Sequence, residues 1–339
     1  TTTAFMAHNI SRELQRNSIY IGTLGAIVND SFFKTKGNTT PGIFEIFEIL
    51  KACNPKNKTY IFLEISSHAL TQKRLGNLRF NQTIILNIHS DHLDYHKTHE
   101  NYIDSKLSIT ELNNKNPTII FIDHVSHLIE NLSPNQKRQI EVSKHLSSND
   151  HSALLKYSFE YNSEGFSKIY LNFPNLAIEV NVSLFLQFNI DNYISALALL
   201  SDSISLNDIH RINKSSIKLP EGRGEILRLK EGRILIDFAH DPKSFKNILS
   251  ELGKSYDEII LVFGCGGDRD NSKRSKMMTI AQEFASKVIF TSDNNRYESF
   301  TSIYKDALKG NNPSRVEIIE DRQDAIKSAL KYLNKRNIL

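Results

Sequence analysis

The chain has 339 residues, 40% of them hydrophobic and 24% charged, with a net charge of +4. That balance excludes a disordered chain, and the length exceeds what one ordinary core fills, so two domains are expected. No apolar run reaches the ~20 residues of a membrane helix and no secretory signal opens the chain, which argues against a membrane protein. The pI of about 8.8 comes from lysines scattered among acids, without the aromatic-interleaved basic stripe of a nucleic-acid binder. The two cysteines, Cys53 and Cys265, are far apart and lack metal-ligand spacing, so a reduced, cytoplasmic protein is expected.

In chain order, a helix is expected over Thr3–Arg16 and another over Ile43–Lys51, followed by strands at Tyr60–Leu63 and Thr83–Leu86. A helix over Glu100–Leu112 leads to a strand at Ile119–Ile122, and the polar stretch 131–165 resists assignment. A helix over Asp191–Leu200 ends the first half. Leu219-Pro220-Glu221-Gly222-Arg223-Gly224 then reads as a turn-rich linker, which divides the chain into domains 1–218 and 219–339. Beyond it, strands at Ile234–Ile236, Glu258–Phe263, Val288–Phe290 and Val316–Ile319 alternate with helices at Pro242–Leu252, Lys273–Ala285 and Arg322–Leu333. Strands separated by helices make an α/β fold with doubly wound, mostly parallel sheets, in which ligands bind beyond the carboxyl ends of the strands.

The unusual polar clusters fall at those ends. Glu64-Ile-Ser66-Ser67-His68 follows the first strand, and Asn87 with Asp91-His92-Leu-Asp94-Tyr-His96 follows the second. Asp237-Phe-Ala-His240, Gly264-Cys-Gly-Gly-Asp-Arg-Asp270 and Asp293-Asn294-Asn295-Arg296 follow later ones. Glu64 suits a hard cation such as Mg²⁺, which takes few protein oxygens and keeps its waters or substrate phosphates. His92 either completes such a sphere or caps the next helix, and Lys106 carries no signal by spacing alone. The glycines after Phe263 let the backbone close around an anion, with Arg269 as a planar donor; an ordinary glycine turn with a surface ion pair fits equally well. Arg296 is either a bidentate carboxylate clamp or an exposed loop arginine. His240 lies near a phosphate or caps the helix at Pro242, and Arg223 meets a nucleotide or solvent.

Together these segments resemble the Mur ligases. Thr39-Thr40-Pro41, Glu64-Ile-Ser-Ser-His68, Gln72-Lys-Arg74, Asp91-His-Leu-Asp-Tyr-His96, Tyr102…Lys106, Phe188-Asn189…Asn192, Gly222-Arg223, Asp237-Phe-Ala-His240 and Gly264–Asp270 stand in that family's order. The resemblance implies a central P-loop-type ATPase domain and a Rossmann-like C-terminal domain. It implies an ATP-dependent, ADP-forming acid–amino-acid ligase of peptidoglycan precursor synthesis that works through an acyl phosphate. ATP and Mg²⁺ are the implied cofactors, UDP-MurNAc-L-Ala-D-Glu and meso-diaminopimelate the substrates, and a monomer is expected.

By the same resemblance Glu64 and His92 are metal ligands, and Lys106 is a lysine that CO₂ carbamylates into a further ligand. Thr1 follows the phosphate-loop lysine and so falls at the metal and ATP. Asn38, Thr39, Thr40, Ser66, Gln72 and Arg74 fall at the UDP-sugar peptide. Asn189, Asn192, Arg223, Asp237 and His240 fall at the nucleotide. Arg269, Asp293, Asn294, Asn295 and Arg296 read the incoming amino acid. Diaminopimelate-adding members carry Asp-Asn-Pro-Arg where this chain has Asp-Asn-Asn-Arg, so Asn294 and Arg296 favour diaminopimelate while the loop loses a proline's rigidity. The lysine-adding branch is the alternative.

The chain also departs from the family pattern. The family's phosphate loop would precede Thr1, its Gly-Lys-Gly-His-Glu segment would follow Leu339, and the N-terminal UDP-binding domain is missing. Phe121 and Leu186 replace an Asn and a Gly. A fragment truncated at both ends, inactive on its own, is therefore expected, with a non-catalytic remnant that binds nucleotide or UDP-sugar as the alternative. A folylpolyglutamate-synthase-like protein shares the chemistry, but Asp91–His96 and Asp293–Arg296 argue against it.

Overall fold

The computed structural model describes residues 1–53, 58–88, 92–114, 118–120, 140–142, 156–161, 167–173, 176–182, 184, 186–200, 203–212, 217–268 and 270–339. The chain divides into two compact units, Thr1–Leu219 and Pro220–Leu339.

The first unit opens with helix α1 (Thr2–Glu13), which stops short of the expected Arg16. Gln15 takes a left-handed φ of 58°, and the Arg16 and Gln15 amides turn back onto the Ser11 and Arg12 carbonyls, closing the helix. Strands β1 (Asn17–Gly22), β2 (Gly25–Val28) and β3 (Ser31–Phe33) form an antiparallel meander. Gly22 pairs with Gly25 across a two-residue hairpin, and Gly25 supplies the φ of 103° that so tight a turn needs. Beyond α2 (Ile43–Cys53), strand β4 (Thr59–Leu63) pairs parallel with β1 on its other side.

Helices α3 (Ser67–Thr71), α4 (Leu93–His96) and α5 (His99–Leu107) follow, and Leu70 of α3 and Ile103 and Leu107 of α5 pack with Ile85 of β5 (Ile84–Ile85), which heads a three-stranded parallel sheet with β6 (Thr118–Ile120) and β7 (Ile140–Val142). The helix expected over Glu100–Leu112 tightens into a 3-10 turn at Ser108–Leu112. There the Ser108 and Thr110 hydroxyls donate to the Ser105 and Leu107 carbonyls at 2.8 and 2.9 Å. Strands β8 (Lys156–Tyr161), β9 (Ser167–Phe173) and β10 (Leu176–Val182) make an antiparallel sheet that lies largely beyond the stretch left unassigned from sequence. Its inward residues Ile169, Leu171 and Val180 meet Met6 and Ile10 of α1 and Tyr193 and Ile194 of α6 (Gln187–Leu199) in the main core. Helix α7 (Leu206–Ile212) adds Ile209 and Ile212.

His8 of α1 is buried in this unit, with Nδ1 2.8 Å from the Ser18 hydroxyl and Nε2 3.1 Å from the Asn29 carbonyl. The carbonyl requires a proton on Nε2, which leaves Nδ1 to accept from Ser18 in the neutral ring. Burial, with the nearby Arg12 charge, pushes its pKa down to about 4 against the opposing pull of Asn29 and Asp30.

The second unit holds one six-stranded sheet in the order β11-β12-β16-β13-β14-β15: Glu225–Arg228, Arg233–Ile236, Asn337–Ile338, Glu258–Phe263, Lys287–Phe290 and Val316–Ile318. All neighbours are parallel except β11 with β12. Helix α8 (Pro242–Leu252) begins at a proline and is capped by Asp241, whose carboxylate accepts from the Lys243 and Ser244 amides at 2.9 and 3.0 Å. Helices α9 (Ser272–Phe284), α10 (Phe300–Leu308) and α11 (Arg322–Leu330) complete the unit. This is the mixed α/β architecture expected, with antiparallel pieces added at β1–β3 and β8–β10. No helix among the described residues is long and apolar enough to cross a membrane.

Candidate functional site

Glu64 emerges from the carboxyl end of β4, beside the β1–β2 hairpin. Its Oε2 accepts from the Thr1 and Thr23 hydroxyls, each at 2.9 Å, and its Oε1 accepts from the Tyr20 hydroxyl and from the Thr23 amide at 3.2 Å. The Thr23 hydroxyl also lies 3.2 Å from that of Thr39. The Glu64 side chain is only 9% exposed. Burial resists its ionisation, while the Tyr20, Thr1 and Thr23 hydroxyls that donate to it favour the charged form. Gly22 makes the approach possible, since a Cβ there would overlap Glu64 Oε1 and stand 2.5 Å from the Tyr20 hydroxyl oxygen.

A charged carboxylate ringed by hydroxyls is an all-oxygen donor set, which suits Mg²⁺ held by few protein groups. Among the described residues, no three His, Cys, Asp or Glu side chains group as metal ligands. Of the other expected ligands, His92 is exposed, has a φ of 54° and packs its ring edge-on to His68 at 4.9 Å. Its carbonyl takes the Tyr95 and His96 amides at 3.1 and 2.9 Å. Lys106 donates to the Asn87 carbonyl at 2.8 Å and lies over the Tyr102 ring at 4.9 Å.

A second network links residues expected to hold the sugar peptide. The Thr40 hydroxyl is buried; it donates to the Glu64 carbonyl at 2.8 Å and accepts the Ser66 amide at 2.9 Å. Ser66 caps α3 through the Ala69 amide. Arg74 donates to the Thr40 carbonyl at 3.2 Å and to Gln72 at 2.7 Å, and Gln72 donates to the Tyr95 hydroxyl at 3.1 Å. Asn38 is exposed just before Thr39. On α6, Asn192 accepts from the Thr3 hydroxyl at 2.6 Å, while Asn189 is fully buried.

In the second unit Arg223 lies over the Phe238 ring at 4.3 Å. Burial raises the Asp237 carboxyl, with the Arg223 charge and backbone amides, among them that of Ala239 at 2.8 Å, pulling the other way. His240 places Nδ1 3.2 Å from the Phe238 carbonyl, and its own carbonyl accepts from Lys273 at 2.9 Å. Asp241, not His240, caps α8.

Two strand-end loops are stitched together: Gly264–Asp268 after β13 and Asp293–Glu298 after β14. The Gly267 amide donates to the Asn294 carbonyl at 2.9 Å, Arg296 donates to the Gly267 carbonyl, and the Tyr297 amide donates to Asp268 at 2.9 Å. Arg296 and Asp268 both hold a left-handed φ of 50°. Asp293, Asn294 and Arg296 are exposed, and Asn295 is half-buried. Asp270 caps the turn into α9 through the Ser272 amide at 2.9 Å. Arg269 and Asp91 lie outside the described residues.

Residues 1–200 match the Mur ligase middle domain and residues 222–339 the Mur ligase glutamate ligase domain. The chain is a member of the Mur ligase family. The UDP-N-acetylmuramoyl-L-alanyl-D-glutamate–2,6-diaminopimelate ligase of Helicobacter pylori is 32% identical over 349 residues, covering all of this chain and 74% of that protein. The protein of the same name from Clostridium tetani is 32% identical and is covered to 69%. A solved structure of such a diaminopimelate ligase is 27% identical, with a TM-score of 0.69 over all of this chain and 69% of its own. Mycobacterium tuberculosis folylpolyglutamate synthase, complexed with ADP and AMPPCP, has a TM-score of 0.74 at 15% identity, covering 99% of this chain and 84% of its own, a likeness of fold alone.

The sequence reading missed several residues of this Mur ligase. Tyr20, Gly22 and Thr23, which flank Glu64, were missed because β1 and its hairpin were not foreseen, although Ile19-Tyr20-Ile21-Gly22 carries a strand-then-turn signal. Arg274 and Glu298, which brace the two strand-end loops, had no signal at sequence level, since two charges 24 positions apart look like solvated surface.

Proposed function

We propose that this Mur ligase joins meso-diaminopimelate to UDP-MurNAc-L-Ala-D-Glu with ATP and Mg²⁺. The D-Glu carboxylate attacks the γ-phosphorus and ADP departs. The amine of the incoming amino acid then attacks the acyl carbon, loses a proton and expels phosphate. The supporting observation is similarity along the whole chain to ligases of that name, together with an ionised Glu64 set in a ring of hydroxyls.

When bound, Mg²⁺ supplies charge neutralisation where two anionic substrates meet. Glu64 and the Thr1 hydroxyl are the groups we assign to hold it, with Tyr20 and Thr23 fixing the carboxylate. His92 and a carbamylated Lys106 are proposed for a second ion, and here the family likeness is the support. Thr40, Ser66, Gln72 and Arg74, with Asn38 and Thr39, bind the UDP-sugar peptide. Asn189, Asn192, Arg223, Asp237 and His240 hold the nucleotide. Asn294 and Arg296, with Asp293, Asn295 and Arg269, read the amino acid, Arg296 pairing with its distal carboxylate.

The test is a ligation assay on the full polypeptide in which these residues occur, run with diaminopimelate and with L-lysine and read by phosphate release and product mass. Product with diaminopimelate that is lost in Arg296→Ala is expected. Product with lysine alone would move the protein to the lysine-adding branch, and product with neither would sink the ligase reading.

A further inference from the structure

The strand-end loops that carry Asn294 and Arg296 are joined beneath by a buried ion pair. Arg274, on α9, is completely buried. Its Nη1 donates to Glu298 Oε1 at 2.7 Å and its Nη2 to Glu298 Oε2 at 2.6 Å, a two-pronged pairing. The remaining Nη hydrogens reach Asp306 of α10 at 3.0 Å and the Gly266 carbonyl at 3.0 Å. One guanidinium therefore ties the glycine loop, the Asp293–Glu298 loop and α10 to α9. Glu298 extends the tie by accepting the Asp268 amide at 3.2 Å, and Asp268 in turn accepts the Tyr297 amide. Arg274 holds the Glu298 carboxyl down at about 2, so the pair stays ionised at any working pH. Only a planar fork satisfies these directions at once; a lysine ammonium would serve some of the acceptors and leave the others.

We propose that Arg274 and Glu298 are positioning residues for the acceptor amino acid. They touch no substrate, but they lock Asn294 and the left-handed Arg296 into the exposed arrangement that meets it. Asn295 occupies the place where a proline would stiffen the loop, and the clamp supplies the rigidity from below. The proposal rests on the ligase reading and adds what fixes the acceptor subsite. Its signature is selective. Loosening the clamp disorders the acceptor subsite while the donor peptide site, built on another unit, keeps its geometry.

The experiment uses Glu298→Gln and Arg274→Lys in the full polypeptide, each shown to be folded by circular dichroism. Steady-state kinetics are measured for each of the three substrates with the other two saturating. Hydrogen exchange is followed at peptides spanning 264–268 and 293–298. The expected result is an acceptor KM raised about tenfold or more, with the KM values for ATP and the UDP-sugar peptide within about twofold, and faster exchange confined to those two peptides. A folded Glu298→Gln enzyme with the wild-type acceptor KM overturns the proposal. So does an equal rise in the KM values for all three substrates, which marks general destabilisation. A wild-type protein that ligates no acceptor sinks the functional reading and the positioning role with it, and is distinguished because it appears before any variant is made.

Discussion

His8 should make the first unit lose stability as the solution turns mildly acidic. Its ring is neutral and enclosed between Ser18 and Asn29, with a pKa of about 4 in the folded chain against 6.5 in the open one. The unfolded chain therefore binds the extra proton first. The associated stability is present in full above pH 6.5 and drains away as the pH falls from 6.5 towards 4. Worked from those two values, the change between pH 7 and pH 5 is about 2 kcal/mol, out of a limit near 3 kcal/mol reached below pH 4. Urea unfolding of the wild type and of His8→Gln, measured at both pH values, isolates the effect, because groups such as Asp237 titrate alike in both proteins. The glutamine can still donate to the Asn29 carbonyl, so its cost should be constant with pH. The His8 ring resonance, assigned among twelve histidines by its absence in the variant, should titrate near pH 4. A wild-type-minus-variant difference that stays flat from pH 7 to 5, or a ring that titrates near 6.5, refutes the reasoning.

Gly22→Ala should push the Glu64 carboxylate out of its hydroxyl ring, costing about 1–3 kcal/mol by overpacking and raising the Mg²⁺ concentration needed for half-maximal activity. Gly267→Ala, whose Cβ would overlap the Asn295 carbonyl oxygen and stand 2.7 Å from its carbon, should separate the two strand-end loops, seen as a raised acceptor KM. Cys265 is buried and its thiol is pushed up to about 11. Peptide mass spectrometry after iodoacetamide treatment at pH 8 should find it unmodified until the protein is unfolded, since only about 0.1% is thiolate there. Thr40→Val should disturb the Glu64 and Ser66 backbone together and raise the KM for the UDP-sugar peptide more than that for ATP.

The parts of the fold most legible in the sequence are those where local chemistry and tertiary packing agree. The bounds expected for Pro242–Leu252 and Glu258–Phe263 coincide with those observed. A proline and a capping aspartate fix the start of one, and a run of apolar residues ending at Gly264 fixes the other. The polar clusters at strand ends were legible for the same reason, since parallel strands leave their carboxyl ends open. Less legible were elements defined by partners far along the chain. The β9–β10 pair alternates apolar and polar residues, as in Ile169-Tyr170-Leu171, yet its two strands face one α6–α1 surface that sequence spacing does not reveal. Helix α10 carries a capping Ser299, but its apolar residues Phe300, Ile303 and Ala307 make too short a stripe to stand out. The ring around Glu64 draws on Thr1 at the start of α1 and on Tyr20 and Thr23 of β1 and its hairpin, the last two brought to Glu64 by the pairing of β1 with β4 rather than by proximity in sequence.

That pairing gives β1 an unusual duty. It is hydrogen-bonded on one side to β2, which turns Thr23 back through Gly22 and Gly25, and on the other to β4, which delivers Glu64 just past the Ile21–Leu63 pair. A shift of one residue along β1 moves its chain by about 3.3 Å and exchanges its two faces, so the hydroxyls and the carboxylate would miss one another. Insertions or deletions inside Asn17–Gly22 should therefore abolish the metal binding proposed for Glu64 even where a sheet still forms. Any ligand that needs the assembled ring then selects the correctly registered sheet and draws slipped chains towards it by mass action.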